Sequence, residues 1–297
     1  MIAAPRDLSS YGMEAVTLRQ IKASAITEVV AEMCREANIY LGDDLVDALK
    51  GALQREESPA GREALQQLIE NEKIARTEQI PLCQDTGFAV FFVEWGQDLH
   101  LTGGSLEEAI NEGVRRGYRD SWLRKSIVAD PLKRINTGDN TPAVIHTALV
   151  PGERVKISFA PKGGGSENMS RLAMLRPSDG REGVIDFVLR CVREAGPNPC
   201  PPVVVGIGIG GTFDQVAVIA KKALFRPLGR PHPDPYYAAL EQELLEKINE
   251  LGVGPQGFGG RVTALAVHIE TYAAHIASLP VAVNLNCHAA RHAERII

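Results

Sequence analysis

The stretch Pro81-Leu82-Cys83-Gln84-Asp85-Thr86-Gly87 places a thiol, an amide, a carboxylate, a hydroxyl and a glycine directly ahead of the apolar run Phe88–Val93. A buried strand favours Val and Ile over Cys-Gln-Asp-Thr, so strand formation alone explains the mixture poorly. A carboxylate beside a metal-ligating thiol suits a site where a metal and a general base act on one substrate. The competing reading is a polar turn ended by Gly87, with Cys83 packed in the core.

Lys162-Gly163-Gly164-Gly165-Ser166-Glu167-Asn168 forms a second cluster, directly after the apolar run Val155–Phe159. Consecutive glycines let a backbone approach a ligand closely and expose N–H groups to an anion, and Lys162 adds a positive charge. The Walker order GxxxxGK[ST] is absent. We expect a cradle for a carboxylate or phosphate, with a flexible surface loop as the alternative. A third glycine run, Gly206 to Gly211, alternates through the end of the strand Val203–Ile207. No acidic residue closes a βαβ unit behind it, so a dinucleotide site is not expected. Further on, the segment from His275 to His288 reads as a strand with His275 near one end and Cys287 past the other. Arg291, His292 and Arg295 follow as a short basic tail.

The five cysteines are Cys34, Cys83, Cys191, Cys200 and Cys287. An odd number in a long chain without a secretory signal is not a disulfide framework, so these are free thiols. Cys34 and Cys191 lie inside helical apolar stripes and are expected in the core. Cys83, Cys200 and Cys287 each lie where a loop meets an apolar strand, the setting in which α/β architectures collect their chemistry. Three thiolates leave one iron of a four-iron cluster without a protein ligand, free to polarise a substrate oxygen. Three cysteines so far apart do not establish this by spacing alone.

Composition excludes several classes. The chain has 297 residues, 44% hydrophobic and 23% charged, as in ordinary globular proteins. Its net charge of -5, with no long basic block, argues against nucleic acid as the main partner. The start, Met1–Asp7, lacks an apolar core behind its charge, so no secretory signal is expected. The most apolar run, Pro202–Ile209, is too short to span a bilayer. The expectation is a cytoplasmic protein that engages neither membrane nor nucleic acid.

The elements that must position these groups follow from periodicity. Residues 21–80 carry helical apolar spacing: Ile26, Val29, Val30 and Met33, then Leu45, Val46 and Leu49, then Leu65, Leu68 and Ile69. Ser105 and Glu108 have capping-box spacing for a helix running to about Tyr118. Two apolar runs across Pro151-Gly152 predict a β-hairpin of 143–149 with 155–159. Helices are expected over 182–195, 214–223 and after Pro235. The fold class expected is mixed α/β: a helical N-terminal region over 1–80, then mixed sheets flanked by helices over 81–297. That second part is read as one catalytic region, with a possible subdomain boundary near 226–235.

As a set, four segments resemble the iron–sulfur (class I) fumarate hydratases. They are Cys83–Gly87, Lys162–Asn168, Gly208-Ile209-Gly210-Gly211-Thr212 and His275–Asn284, and the resemblance runs from about Ile21 to Arg295. The chain is similar to the α subunit of the two-subunit form, and L(+)-tartrate dehydratase α subunits share the pattern. The resemblance implies that Cys83, Cys200 and Cys287 hold a [4Fe–4S] cluster with one iron not bound by cysteine. It implies that Gln84, Asp85, Arg124, Lys162, Gly165 and His275 line a dicarboxylate site, with Asp85 and His275 catalytic and the base either Asp85 or its partner here, or shared with a β subunit. The activity implied is reversible hydration of fumarate to (S)-malate, or alternatively dehydration of tartrate to oxaloacetate. A β subunit is the implied partner, in a heterotetramer or around an α homodimer. A reading of another class is a non-catalytic scaffold that binds an anion through its glycine loops.

Overall fold

The computed structural model describes residues 18–297, so the reading of Met1–Asp7 and the first residues of the 1–80 region lie outside it. The fold is mixed α/β, as the periodicities predict. In chain order the elements begin with β1 (Arg19–Lys22), α1 (Ala23–Ile39), α2 (Asp43–Arg55), α3 (Pro59–Glu78), β2 (Phe88–Gly96) and β3 (Leu99–Thr102). There follow α4 (Leu106–Asp120), β4 (Val144–Val150), β5 (Val155–Lys162), the single-turn α5 (Gly164–Asn168), β6 (Arg171–Leu175) and α6 (Gly180–Ala195). Last come β7 (Val203–Gly210), α7 (Phe213–Ala223), α8 (Pro235–Asn249), β8 (Ala264–Tyr272), β9 (Leu279–Asn286) and β10 (Ala293–Ile296).

Three helix starts, those of α3, α4 and α8, carry side chains that satisfy free N–H groups. The Ser58 hydroxyl accepts from Gly61 N, Ser105 from Glu108 N and the Asp234 carboxylate from Tyr236 N. Pro59 and Pro235 occupy first helical positions, where no N–H is needed.

The strands form two four-stranded sheets, ordered β10-β5-β2-β4 and β6-β9-β7-β8, and a β1-β3 pair. The hairpin expected across Pro151-Gly152 does not form. β4 pairs parallel to β2, β5 pairs antiparallel to β2, and β2 stands between them. Burial explains the correction: β2 is the strand whose residues Ala89, Val90, Phe91 and Val93 are all buried, whereas β4 is largely exposed and takes the edge. The basic tail is also reassigned, because β10 closes the other edge antiparallel to β5.

Two cores cover the two sheets. Ile26, Val30 and Met33 of α1 and Ile110, Val114 and Tyr118 of α4 pack onto Phe91, Ile157 and Phe159 of the first sheet, enclosing Cys34. Phe91 and Phe159 stack at 4.8 Å and are fully buried, each contributing roughly 1.5–3 kcal/mol. On the second sheet, α6 and α8 cover β7, β8 and β9, and Cys191 packs among them. Residues of α2 and α3 join Val204, Val262, Ala266, Ala289 and Ala290 in a third core, against which Cys287 packs.

On the other face of β7, glycines replace side chains so that α7 can lie close. A Cβ at Gly206 would stand 2.3 Å from the Ala220 carbonyl oxygen, and one at Gly208 2.3 Å from that of Val216. The alternating glycines are therefore a helix-packing surface.

Candidate active site

Strand register decides which loops meet. In the β2–β5 pair Phe88 faces Lys162, so the Cys83–Gly87 segment, which enters β2, meets the glycine run that leaves β5. In the β7–β9 pair Val204 faces Asn286, so Cys200, just before β7, lies at the same end as Cys287, just after β9.

Polar contacts lace the four loops together. Asp85 Oδ1 accepts the Gly87 N–H at 2.9 Å and Oδ2 accepts the Gly164 N–H at 2.8 Å. The Thr86 hydroxyl donates to the Arg124 carbonyl at 2.8 Å, and the buried Tyr118 hydroxyl donates to the Thr86 carbonyl. His288 N donates to the Cys200 carbonyl at 3.3 Å, joining the Cys200 and Cys287 loops. A Cβ at Gly165 would stand 3.6 Å from the Asn198 carbonyl oxygen, so the Cys200 loop borders the glycine run. Arg291 Nη2 donates to the Asp85 carbonyl at 2.5 Å, tying the end of the chain to the first loop.

The thiols of Cys83, Cys200 and Cys287 share this end of the molecule. Burial pushes the Cys200 thiol up, and the neighbouring Cys287 and Cys83 sulfurs push it further. Burial also raises the Cys287 thiol, partly opposed by the Arg291 charge. Cys200 is exposed, and Cys83 and Cys287 are half-buried. Among the described residues no three His, Cys, Asp or Glu side chains are drawn up around a single metal ion. Three thiols carried to one end on three separate loops fit a group that takes each sulfur on a different metal atom. An orphaned buried guanidinium beside it, from Arg291, fits an anionic group. By contrast Cys34 and Cys191 are core residues, and burial raises the Cys191 thiol to about 11.

Behind the glycine run, Lys162 is 2% exposed. Its Nζ donates to Ser166 Oγ at 2.9 Å and pairs with Glu167 Oε2 at 3.1 Å. Burial pulls the ammonium down to about 8 despite the Glu167 charge. Glu167 also pairs with Lys221 of α7 and accepts from Asn284 Nδ2 at 3.0 Å in β9, so it joins the two sheets. Burial raises its carboxyl, but the Lys162 and Lys221 charges outweigh that and hold it at about 2.

Gln84, Arg124 and Gly165 are exposed at the rim of this end. Arg124 makes none of the ion pairs found among the described residues. His275 is not brought here. It lies in the exposed turn before β9, its Nδ1 accepting from Ala277 N at 3.1 Å. The eight residues of β9 separate it from Cys287, about 26 Å at roughly 3.3 Å per residue. The Gly210–Thr212 segment lies at that far end too, where Gly211 N donates to the Ala273 carbonyl.

Reasoning from sequence missed Arg291, which is 4% exposed rather than part of a solvated tail. Its alanine neighbours, Ala289, Ala290 and Ala293, were the available signal. It also missed Glu167 as a bridge, although that residue stands inside the glycine motif.

Residues 27–296 match the family described as fumarate hydratase (Fumerase). A protein of Methanocaldococcus jannaschii named "Putative L(+)-tartrate dehydratase subunit alpha" is 47% identical over 274 residues, covering 90% of this chain and 96% of that one. The L(+)-tartrate dehydratase subunit alpha of Escherichia coli K12 is 35% identical over 283 residues, covering 94% and 93%. That of Escherichia coli UTI89 is 36% identical over 277 residues, covering 92% and 91%.

Proposed function

The chain belongs to the fumarate hydratase family, and from that premise we propose that it is the α subunit of an iron–sulfur hydro-lyase for four-carbon dicarboxylates. What supports the reading is the strand register that carries the loops of Cys83, Cys200 and Cys287 to one end of the molecule, beside Asp85. When bound there by these three thiolates, a [4Fe–4S] cluster supplies a Lewis-acidic iron without a cysteine ligand.

The chain's own residues supply the rest. Dehydration removes a proton α to a carboxylate while hydroxide leaves the neighbouring carbon. Asp85 is the candidate base, with its carboxylate aimed by the Gly87 and Gly164 amides and one lone-pair direction left on each oxygen. Arg124, an exposed planar fork, and Gln84 at the rim bind the substrate carboxylates, with the Gly165 N–H beside them. Lys162 acts as a fixed buried charge behind the glycine run, stabilising the anion that develops on proton removal. His275 is too far along the sheet to serve the cysteine end of its own chain.

Substrate identity has two supports that differ. The family description favours fumarate and (S)-malate, and the names of the curated relatives favour L(+)-tartrate going to oxaloacetate. Exposure supports a partner: Cys200, Gln84, Arg124 and Gly165 are exposed, and a second subunit covering them would exclude water and add carboxylate grips. The relatives' designation as α subunits supports a β subunit in that role.

Anaerobic turnover of fumarate and of L(+)-tartrate by the paired subunits tests the reading. We expect one of the two to be turned over at least about tenfold faster. A colourless, iron-free pair without either activity would favour the anion-binding scaffold.

A further inference from the structure

Arg291 is a charged group at the cysteine end whose bonding is incomplete. The residue is 4% exposed, yet its Nε and Nη1 are buried with no hydrogen-bond partner. Only Nη2 is engaged, on the Asp85 carbonyl. No carboxylate pairs with it among the described residues. Asp85, whose carbonyl it grips, commits both carboxylate oxygens to the Gly87 and Gly164 amides. A buried cation left without a counter-charge costs several kcal/mol, so such an arrangement persists where an anion completes it. The groups within reach that become anionic once metal binds are the cysteine sulfurs. The loop Arg291 grips places the Asp85 N–H 3.4 Å from Cys83 Sγ, and Cys287 lies four positions before Arg291 in the irregular segment between β9 and β10.

We propose that Arg291 is a positioning residue for the iron–sulfur group: its free N–H groups donate to cluster or cysteine sulfur, and its charge sets how readily that group is reduced or oxidised. The inference rests on the cluster reading above. A four-iron cluster with three thiolates is a net anion that gains a further negative charge on one-electron reduction. A fixed cation beside it favours the reduced form and opposes the oxidation that releases the unligated iron. Hydrogen bonds to sulfur and local charge are the general means by which a protein sets such potentials.

The test uses the anaerobically reconstituted holoenzyme. The midpoint of the one-electron couple is measured by potentiometric titration in wild type, R291K and R291M, with iron counted in each. R291M is expected to shift the reduction equilibrium about tenfold toward the oxidised form, about 59 mV for a one-electron couple. It should also lose iron several-fold faster in air, whereas R291K stays near wild type. A loaded R291M with an unchanged midpoint overturns the proposal, because a purely structural arginine would lower occupancy without moving the potential. Should R291M fail to load, wild type grown with isotopically labelled guanidino nitrogens decides. A nitrogen hyperfine coupling to the reduced cluster that survives in R124K supports the role, and its absence overturns it. A wild-type holoenzyme without iron retires the cluster reading itself, and this inference with it.

Discussion

The carboxylate of Asp85 and the backbone N–H of Gly164 are 79 residues apart in the chain and 2.8 Å apart in space. That bond joins the loop entering β2 to the glycine run leaving β5. The anion that the glycine run holds is thus one of the chain's own, and the run serves to aim the Asp85 carboxylate. Room for it is tight, since a Cβ at Gly163 would come within 3.2 Å of Asp85 Oδ2.

Asp85→Asn sets an amide NH₂ against one of two backbone N–H groups. The expected loss of stability is about 1–3 kcal/mol. Removing the base should lower turnover by about 10²–10⁴-fold, with iron content retained. Thermal unfolding and an anaerobic assay of the paired subunits check both, and near-normal turnover would remove Asp85 from the chemistry.

Glu167 stands between Lys162 and Lys221, and Glu167→Gln leaves two ammonium groups facing each other across a neutral amide. We expect a loss on the order of 3 kcal/mol, read by urea unfolding, because Lys162 stays buried without its counter-charge. Exchanging Lys162 for Met in the same background should recover part of that loss. A double variant no more stable than Glu167→Gln would contradict the account.

The same carboxylate predicts a pH dependence. The folded protein holds Glu167 at about 2, below its usual 4.5, because burial is outweighed by the two lysines. A depressed carboxyl contributes stability that is complete above its unfolded value and is lost as pH falls through the folded one. Wild type should therefore lose stability between about pH 4.5 and about pH 2 more steeply than Glu167→Gln. Parallel curves from chemical denaturation at stepped pH would show that the bridge carries no such linkage.

Gly206→Ala and Gly208→Ala should each cost about 1–3 kcal/mol by pushing α7 off β7. Nucleotide addition should not change the melting temperature of either variant or of wild type. A nucleotide-induced rise in wild type would reopen the dinucleotide reading.

The site's pieces were legible in the sequence because Cys-Gln-Asp-Thr-Gly and a triple glycine are residue types that strands do not otherwise want. The division of the cysteines was legible too: Cys34 and Cys191 sit in helical stripes, and the structure buries both in cores. Assembly was not legible, since it depends on registers between strands that are far apart in the chain, such as Phe88 with Lys162. The missed hairpin has the same origin. Short sequence separation favours β4 with β5, but burying Phe91 and Val93 on both sides rewards the longer-range pairing of each with β2. His275 shows the limit of motif proximity, because the eight extended residues of β9 carry the chain from one end of a sheet to the other. Arg291 was hidden by its neighbours, since a basic residue near His292 and Arg295 reads as solvated until its burial is seen.

Iron and acid-labile sulfide, counted in the anaerobic holoenzyme and in five single Cys→Ser variants, test the central claim most directly. The account predicts about four of each per chain in wild type, Cys34→Ser and Cys191→Ser, with loss of the cluster chromophore in Cys83→Ser, Cys200→Ser and Cys287→Ser. A wild-type protein without iron, or a full cluster surviving substitution of any of those last three cysteines, would contradict it.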